Sequence, residues 1–176
     1  MATVPSPRTW AVGELLTAAK LNTDLRDGIN FLLNPPRALI TDPTPTSISG
    51  STMTTLSWGS EEYDNDGGHS TSSNTSRYTV QTAGRYEYLA NINWTQTGAG
   101  NREVYVRKNG TTDLRIAYTN NPSTGTWTST IQCHGDSLLV AGDYLEVRLF
   151  QNTVNTASVS NGADRTFFKV AWIGTT

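Results

Sequence analysis

The sequence predicts an all-β protein: a jelly-roll sandwich of about eight to ten antiparallel strands, preceded by an extended arm and one helix. Three observations carry this expectation. Beyond residue 37 the chain is a succession of short β-branched and aromatic runs, separated by Gly, Asn, Ser and Thr at hairpin-like spacing. One run, residues 84–96, places Tyr86, Tyr88, Ala90, Ile92 and Trp94 on one face and Arg85, Glu87, Leu89, Asn91 and Asn93 on the other, the period of a half-buried antiparallel strand. Residues 1–37, in contrast, carry helical spacing and stop at Asn34-Pro35-Pro36-Arg37, where two prolines end a helix and stiffen the joint. The expected organisation is an arm and helix over 1–37 and a β domain over 38–176.

In chain order, Pro5 and Pro7 keep the arm extended. Trp10 in this arm either fills a partner surface or folds back on its own chain. Leu21, Leu25, Ile29 and Leu32 follow at intervals of four, four and three, one apolar stripe on a helix that Thr17 is placed to cap. Gly28 weakens that helix, and a stripe this short needs something to pack on. Strands are then expected at 38–41, 52–58, 61–64, 77–81, 84–96 and through Val104 and Val106. Asn109-Gly110 signals a tight turn into a strand bearing Leu114, Ile116 and Tyr118. Further strands are expected at 127–133, through Leu145, Val147 and Leu149, and at 166–173. This last strand carries Phe167, Phe168, Val170, Trp172 and Ile173, apolar on both faces. Such a strand is central in its sheet or covered by another chain. Together with the helix stripe it favours a homo-oligomer, with Phe168, Val170 and Trp172 at the contact between copies.

Charged residues are 16% of the 176 and the formal net charge is −2, which gives no electrostatic reason to bind nucleic acid or an anionic membrane. No apolar run approaches the ~20 residues of a membrane span, and the N-terminus lacks the basic and apolar regions of a signal peptide. Synthesis in a cytoplasm is expected. One cysteine, Cys133, forms no intrachain disulfide. Its neighbour His134 lies on the opposite face of a strand, so the two do not form a nucleophile–base pair. Asp64-Asn65-Asp66-Gly67-Gly68-His69 is the cluster with metal character. Asp64 and Asp66 offer oxygen ligands for calcium, while a plain Asx/Gly turn accounts for the same residues. Tyr86, Tyr88, Trp94, Trp127, Phe168 and Trp172 are either core or a sugar-stacking surface, and the Tyr118–Pro122 stretch is a loop alternative for a glycan. No phosphate loop, acid–base pair or Ser/His/Asp arrangement stands out, so no catalytic residue and no cofactor are expected beyond the calcium alternative.

Four segments resemble the tumour-necrosis-factor/complement-type jelly roll. Thr79-Val80-Gln81-Thr82-Ala83-Gly84-Arg85-Tyr86 is similar to its opening G-x-Y segment, and Val106-Arg107-Lys108-Asn109-Gly110 to its N-G hairpin. Residues 138–147, with Gly142-Asp143, resemble its G-D segment, and residues 167–174 its aromatic last strand. The resemblance spans about 78–174 and implies a homotrimer around an apolar axis. A second resemblance runs from Arg8-Thr9-Trp10 through Asn22, at Asn34-Pro35-Pro36-Arg37-Ala38, and at Tyr63–His69 with Ser76-Arg77. It is to structural proteins of tailed phages, notably those of actinobacteria, some labelled minor tail proteins and others decorating capsids. It implies a non-enzymatic protein on the virion surface, made in the bacterial cytoplasm. Residues 1–37 would be its anchor, through Trp10, Leu21, Leu25, Ile29 and Leu32. The implied partners are its own copies and a capsid or tail protein, with capsid decoration favoured. A tail-tip adhesin for host cell-surface glycan is the alternative, and a glycan-active enzyme a remoter one.

Overall fold

The computed structural model describes residues 4–6, 8–96, 98–121, 128–153 and 155–175. Two sheets stack around one apolar core. In chain order the strands are β1 (Arg37–Thr44), β2 (Ser47–Ile48), β3 (Thr54–Thr55), β4 (Ser57–Asp64), β5 (Arg77–Thr79), β6 (Gly84–Gln96), β7 (Gly100–Lys108), β8 (Thr112–Asn121), β9 (Ser129–Leu139), β10 (Tyr144–Gln151), β11 (Ala157–Val159) and β12 (Phe167–Gly174). In the first sheet β6 pairs with β9 along one side and with β12, then β11, along the other. β12 continues to β1 and β4, and β11 to β2. The second sheet runs β3-β10-β7-β8, with β5 also on β10. Every pairing is antiparallel, and the whole is a jelly-roll sandwich.

The alternation legible in β6 is what builds the core. Tyr86, Tyr88, Ala90, Ile92 and Trp94 are all buried, facing Val104 and Val106 of β7 and Leu145, Val147 and Leu149 of β10 within one cluster. Trp58 stacks on Phe168, ring centroids 6.3 Å apart. Burial of these aromatic and β-branched side chains supplies most of the drive to fold, about 1.5–3 kcal/mol for each large side chain before conformational entropy is counted.

The expected strand at 52–58 is instead a crossing between sheets. β3 pairs with β10, and β4 pairs with β1 after a single intervening residue. Both Leu56 and Trp58 are buried at this crossing, so the run keeps its apolar pattern while it changes partners. The separate run expected at 61–64 is the continuation of β4. The strand expected from Trp127 begins at Ser129 among the described residues; Trp127 itself lies outside them.

Two of the segments noted for their resemblance, the N-G hairpin and the G-D segment, meet in the structure. Asp143, in the turn between β9 and β10, accepts hydrogen bonds from the Val140 N–H (2.9 Å) and the Asn109 side-chain amide (2.8 Å), with Lys108 Nζ at 2.7 Å. Asn109 Oδ1 in turn accepts from the Tyr144 N–H (2.9 Å). The N-G hairpin and the G-D turn are thus two halves of one clasp. Beside the same turn, where Gly84 pairs with Leu139, a Cβ on Gly84 would stand 2.0 Å from the Trp172 indole nitrogen, which donates to the Ala83 carbonyl (3.2 Å). Only glycine leaves that space.

Burial pushes the Asp143 pKa up, but Lys108, the Val140 N–H and Asn109 outweigh it and hold the carboxyl below its ordinary value. A carboxyl depressed by folding contributes stability above its unfolded pKa of about 4 and loses it as pH falls through the folded value. Asp143→Asn is expected to cost about 1–3 kcal/mol at neutral pH. The gap from the parent protein should narrow once acid protonates Asp143, as urea unfolding at pH 7 and below pH 4 will measure.

Candidate functional site

The arm and helix form a small unit at one end of the sandwich. Helix α1 (Ala18–Leu21) starts at Thr17, whose hydroxyl accepts from the Lys20 N–H (3.3 Å), as the sequence predicts. It runs through one π-helical turn, Asn22–Arg26, into helix α2 (Asp27–Leu33). The arm doubles back along it. Glu14 receives Lys20 Nζ (2.7 Å), the Ala11 N–H (3.2 Å) and Arg8, and the Lys20 and Ala11 contacts hold its carboxyl below the usual range. Arg8 also reaches Asp24 (3.2 Å) and lies over the Trp10 ring at 4.7 Å. Pro5 sits on Gly28, 3.4 Å from where a Cβ would stand. Gly28 therefore gives the arm its crossing point, a role the propensity argument does not reveal.

Trp10 rests against its own helix, lining a shallow apolar cavity of about 340 Å³ with Leu16, Leu21 and Leu25. A second cavity of about 440 Å³ brings Leu25, Ile29 and Leu32 together with Pro5, Phe31 and Trp172. Only Phe31 is buried among the described helical residues, edge-on to Trp172 with ring centroids 4.9 Å apart. The predicted stripe stays in solvent: Leu25 is 50% exposed, Ile29 54% and Leu32 72%. With Leu21 at 39%, the stripe is a continuous apolar strip only partly covered by its own chain.

The expected contact between copies through Phe168 and Val170 needs correction. Both are enclosed within one chain, 1% and 0% exposed, and offer nothing to a neighbour. β12 lies between β6 and β1, so its inward residues meet the second sheet. Trp172 is partly buried beneath Phe31 and on Gly84. The apolar surface that remains is on the outer side of the first sheet, where Leu39, Leu89, Phe167 and Ala171 are half-buried. Leu89, Ala171, Lys169, Glu87, Gln132 and His134 line a shallow hollow there, of about 330 Å³. At the sandwich edge β8 exposes Ile116 and Tyr118.

Of the other candidates, Cys133 is buried and His134 exposed on opposite faces of β9, as the pleat requires, and burial raises the Cys133 pKa. Tyr86, Tyr88, Trp94 and Phe168 are core and present no stacking surface. Tyr118 is exposed, while Pro122 lies outside the described residues. Asp64 and Asp66 are committed to their own loop. Asp64 accepts from the N–H groups of Asp66 (3.3 Å) and His69 (2.8 Å), and Asp66 from the Thr82 hydroxyl (3.0 Å). Among the described residues no three His, Cys, Asp or Glu side chains gather into a metal-holding group.

This two-sheet architecture is the jelly roll of the tumour-necrosis-factor and C1q domains. The chain is similar to murine APRIL (16% identity, TM-score 0.58, covering 78% of this chain and 98% of that one). It is also similar to the globular domain of a zebrafish complement 1qA protein (10%, 0.55, 80% and 99%) and to Eiger TNF from S. frugiperda (14%, 0.60, 80% and 95%). At these identities the likeness is one of fold. No family model matches the sequence, and no curated protein matches it.

Phe31→Ala should release the helix from the sandwich, raising amide exchange over residues 18–33. Leu32→Asp, on a side chain without cover, should change sandwich stability by less than about 0.5 kcal/mol. Hydrogen exchange and urea unfolding of the two variants give the comparison; equal effects would mean that the helix is not held by the Phe31–Trp172 contact.

Proposed function

We propose that the chain is a non-enzymatic homotrimeric structural protein of a phage virion surface, docked through residues 1–37, with the jelly roll projecting outward. The observation that carries this reading is the exposed apolar stripe on a helix that meets the sandwich through buried Phe31 and, at its end, through Asn34 Oδ1, which accepts from the Asn65 side-chain amide (2.5 Å). A stripe of Leu21, Leu25, Ile29 and Leu32 is costly to leave in water, and its placement on a separate arm suits insertion into another protein. Capsid decoration is favoured, because the short arm leads straight into β1 with no fibre-forming repeat between them. The same fold at a tail tip, binding host glycan, is the second reading.

Threefold assembly is supported by the jelly-roll type and by the apolar residues left on the outer sheet face and on β8. Three arms on one trimer raise the effective concentration of each contact, so individually modest docking sums to firm attachment. A trimer also suits a threefold or pseudo-threefold site on a capsid.

Deleting residues 1–33 spares β1, whose pairing with β12 begins at Arg37. The truncated protein is expected to fold and trimerise yet fail to join particles lacking the native copy; normal incorporation would refute the anchor. Hundreds of copies per particle by quantitative mass spectrometry would place it on the capsid, a few on the tail.

Leu89→Arg, on the outer sheet face, should dissociate the trimer to folded monomers in light scattering at micromolar concentration. A parent protein that is itself monomeric there would remove the trimer from the proposal.

A further inference from the structure

The outer face of the first sheet holds a titratable side chain near its centre. His134 on β9 is exposed and stands directly opposite Leu89 of β6. On its other side Leu89 stands opposite Lys169 of β12, which is also exposed. An imidazole and an ammonium thus flank the half-buried leucine in one row across three strands, and all three residues line the shallow hollow of about 330 Å³. Residues directly across a ladder have Cβ atoms about 5 Å apart, which puts the stems of His134 and Lys169 roughly 10 Å from each other.

The charges around His134 can be followed strand by strand. β6 brings exposed Glu87, on the same face as Leu89 and opposite Asp136 of β9 and Ala171 of β12. Asp136 is ion-paired with Arg85, so those two cancel. β12 brings Lys169. From the second sheet, the Arg115 side chain of β8 lies against Gly135, on the reverse side of β9. With a neutral imidazole, Glu87 balances Lys169 on the outer face. With a protonated one the face carries a net positive charge, and Arg115 behind the strand adds to it.

On a lone copy that charge costs little, because water solvates it. Covered by a sister copy it is desolvated beside Lys169 with no carboxylate left to balance it, and burying an uncompensated charge is expensive. Histidine is the side chain whose charge ordinarily changes between pH 5 and 8.

We propose that His134 is an acid-sensitive release for the trimer. Its neutral ring lets the outer sheet faces join, and its protonated ring separates the copies. The inference rests on the reading that this face, around Leu89, joins one copy to the next.

The test follows the full-length protein through a dilution series by sedimentation velocity at pH 7.5 and pH 5.5, with circular dichroism checking the fold at both. A histidine that must give up its proton to assemble weakens the contribution of each copy about tenfold over that interval, for an ordinary histidine value near 6.5. Three copies make about a thousandfold in the trimer equilibrium, read as a rise of about 30-fold in the concentration at half dissociation. His134→Gln should keep the two midpoints within about twofold, since nothing on that side chain titrates. Lys169→Gln should shrink the acid effect, because Glu87 then faces the imidazolium alone. A parent trimer equally tight at both pH values, a His134→Gln variant weakened by acid as much as the parent, or an undiminished effect in Lys169→Gln would overturn the release and leave the trimer standing. A parent protein already monomeric at pH 7.5 would remove the trimer and the release with it.

Discussion

The position of β12 between β6 and β1 is the constraint from which the rest of the molecule follows. A strand in the middle of a sheet has its hydrogen bonds filled on both sides, and its inward side chains must meet the facing sheet. Phe168 meets Trp58 and Val170 joins the same core. Because β12 runs antiparallel to β1, its final residues come beside the start of the domain, with the Trp172 N–H bonded to the Pro36 carbonyl (2.8 Å). That juxtaposition puts Trp172 within reach of Phe31. The helix is therefore placed by the closing strand, and its stripe is turned to solvent because the one side chain it spends on the sandwich is Phe31.

The same geometry explains what the recognisable segments do. Gly84 makes room for Trp172, the Tyr86 hydroxyl donates to the Thr82 carbonyl (2.6 Å), and Asn109, Lys108 and Asp143 clasp two turns. Each is a solution to closing a jelly roll. A resemblance carried by such residues reports architecture. What is left to carry a function in this chain lies elsewhere, on the arm, on the outer sheet face and in the connecting loops.

Much of the fold was legible because its signals are local. The period of two in β6, the Thr17 cap and the opposite faces of Cys133 and His134 each follow from backbone geometry within a few residues. The misreadings needed information that a local pattern does not hold. Phe167 and Phe168 together make β12 look apolar on both faces, but Lys169 is exposed and Ala171 half-buried, so the outward side is mixed and the inward side is ordinary core. Residues 52–58 read as one strand because the change of sheet at Leu56 leaves the hydrophobic pattern intact. Phe31 lies one position from Leu32 and was hidden by the stripe beside it. The Asp64–His69 run read as a metal-like cluster because its residue types are local information, whereas the bonds that occupy it come from the Thr82 hydroxyl and, for the His69 ring, the Arg77 carbonyl further along the chain.

A single apolar stripe on a short helix is a weak anchor taken alone. An isolated helix of this length is marginal in water, and ordering the arm on docking costs conformational entropy. Two features reduce that cost here. The arm is already folded against its helix by Arg8, Glu14 and Lys20 and by Pro5 on Gly28, so less freedom remains to be lost on binding. Phe31 on Trp172 fixes where the helix leaves the sandwich, so in a symmetric assembly the stripes would project from equivalent positions. Preorganisation and multiplicity act on the same quantity, the entropy of association, and in the proposed trimer together they would let a contact of a few apolar side chains per copy suffice for attachment.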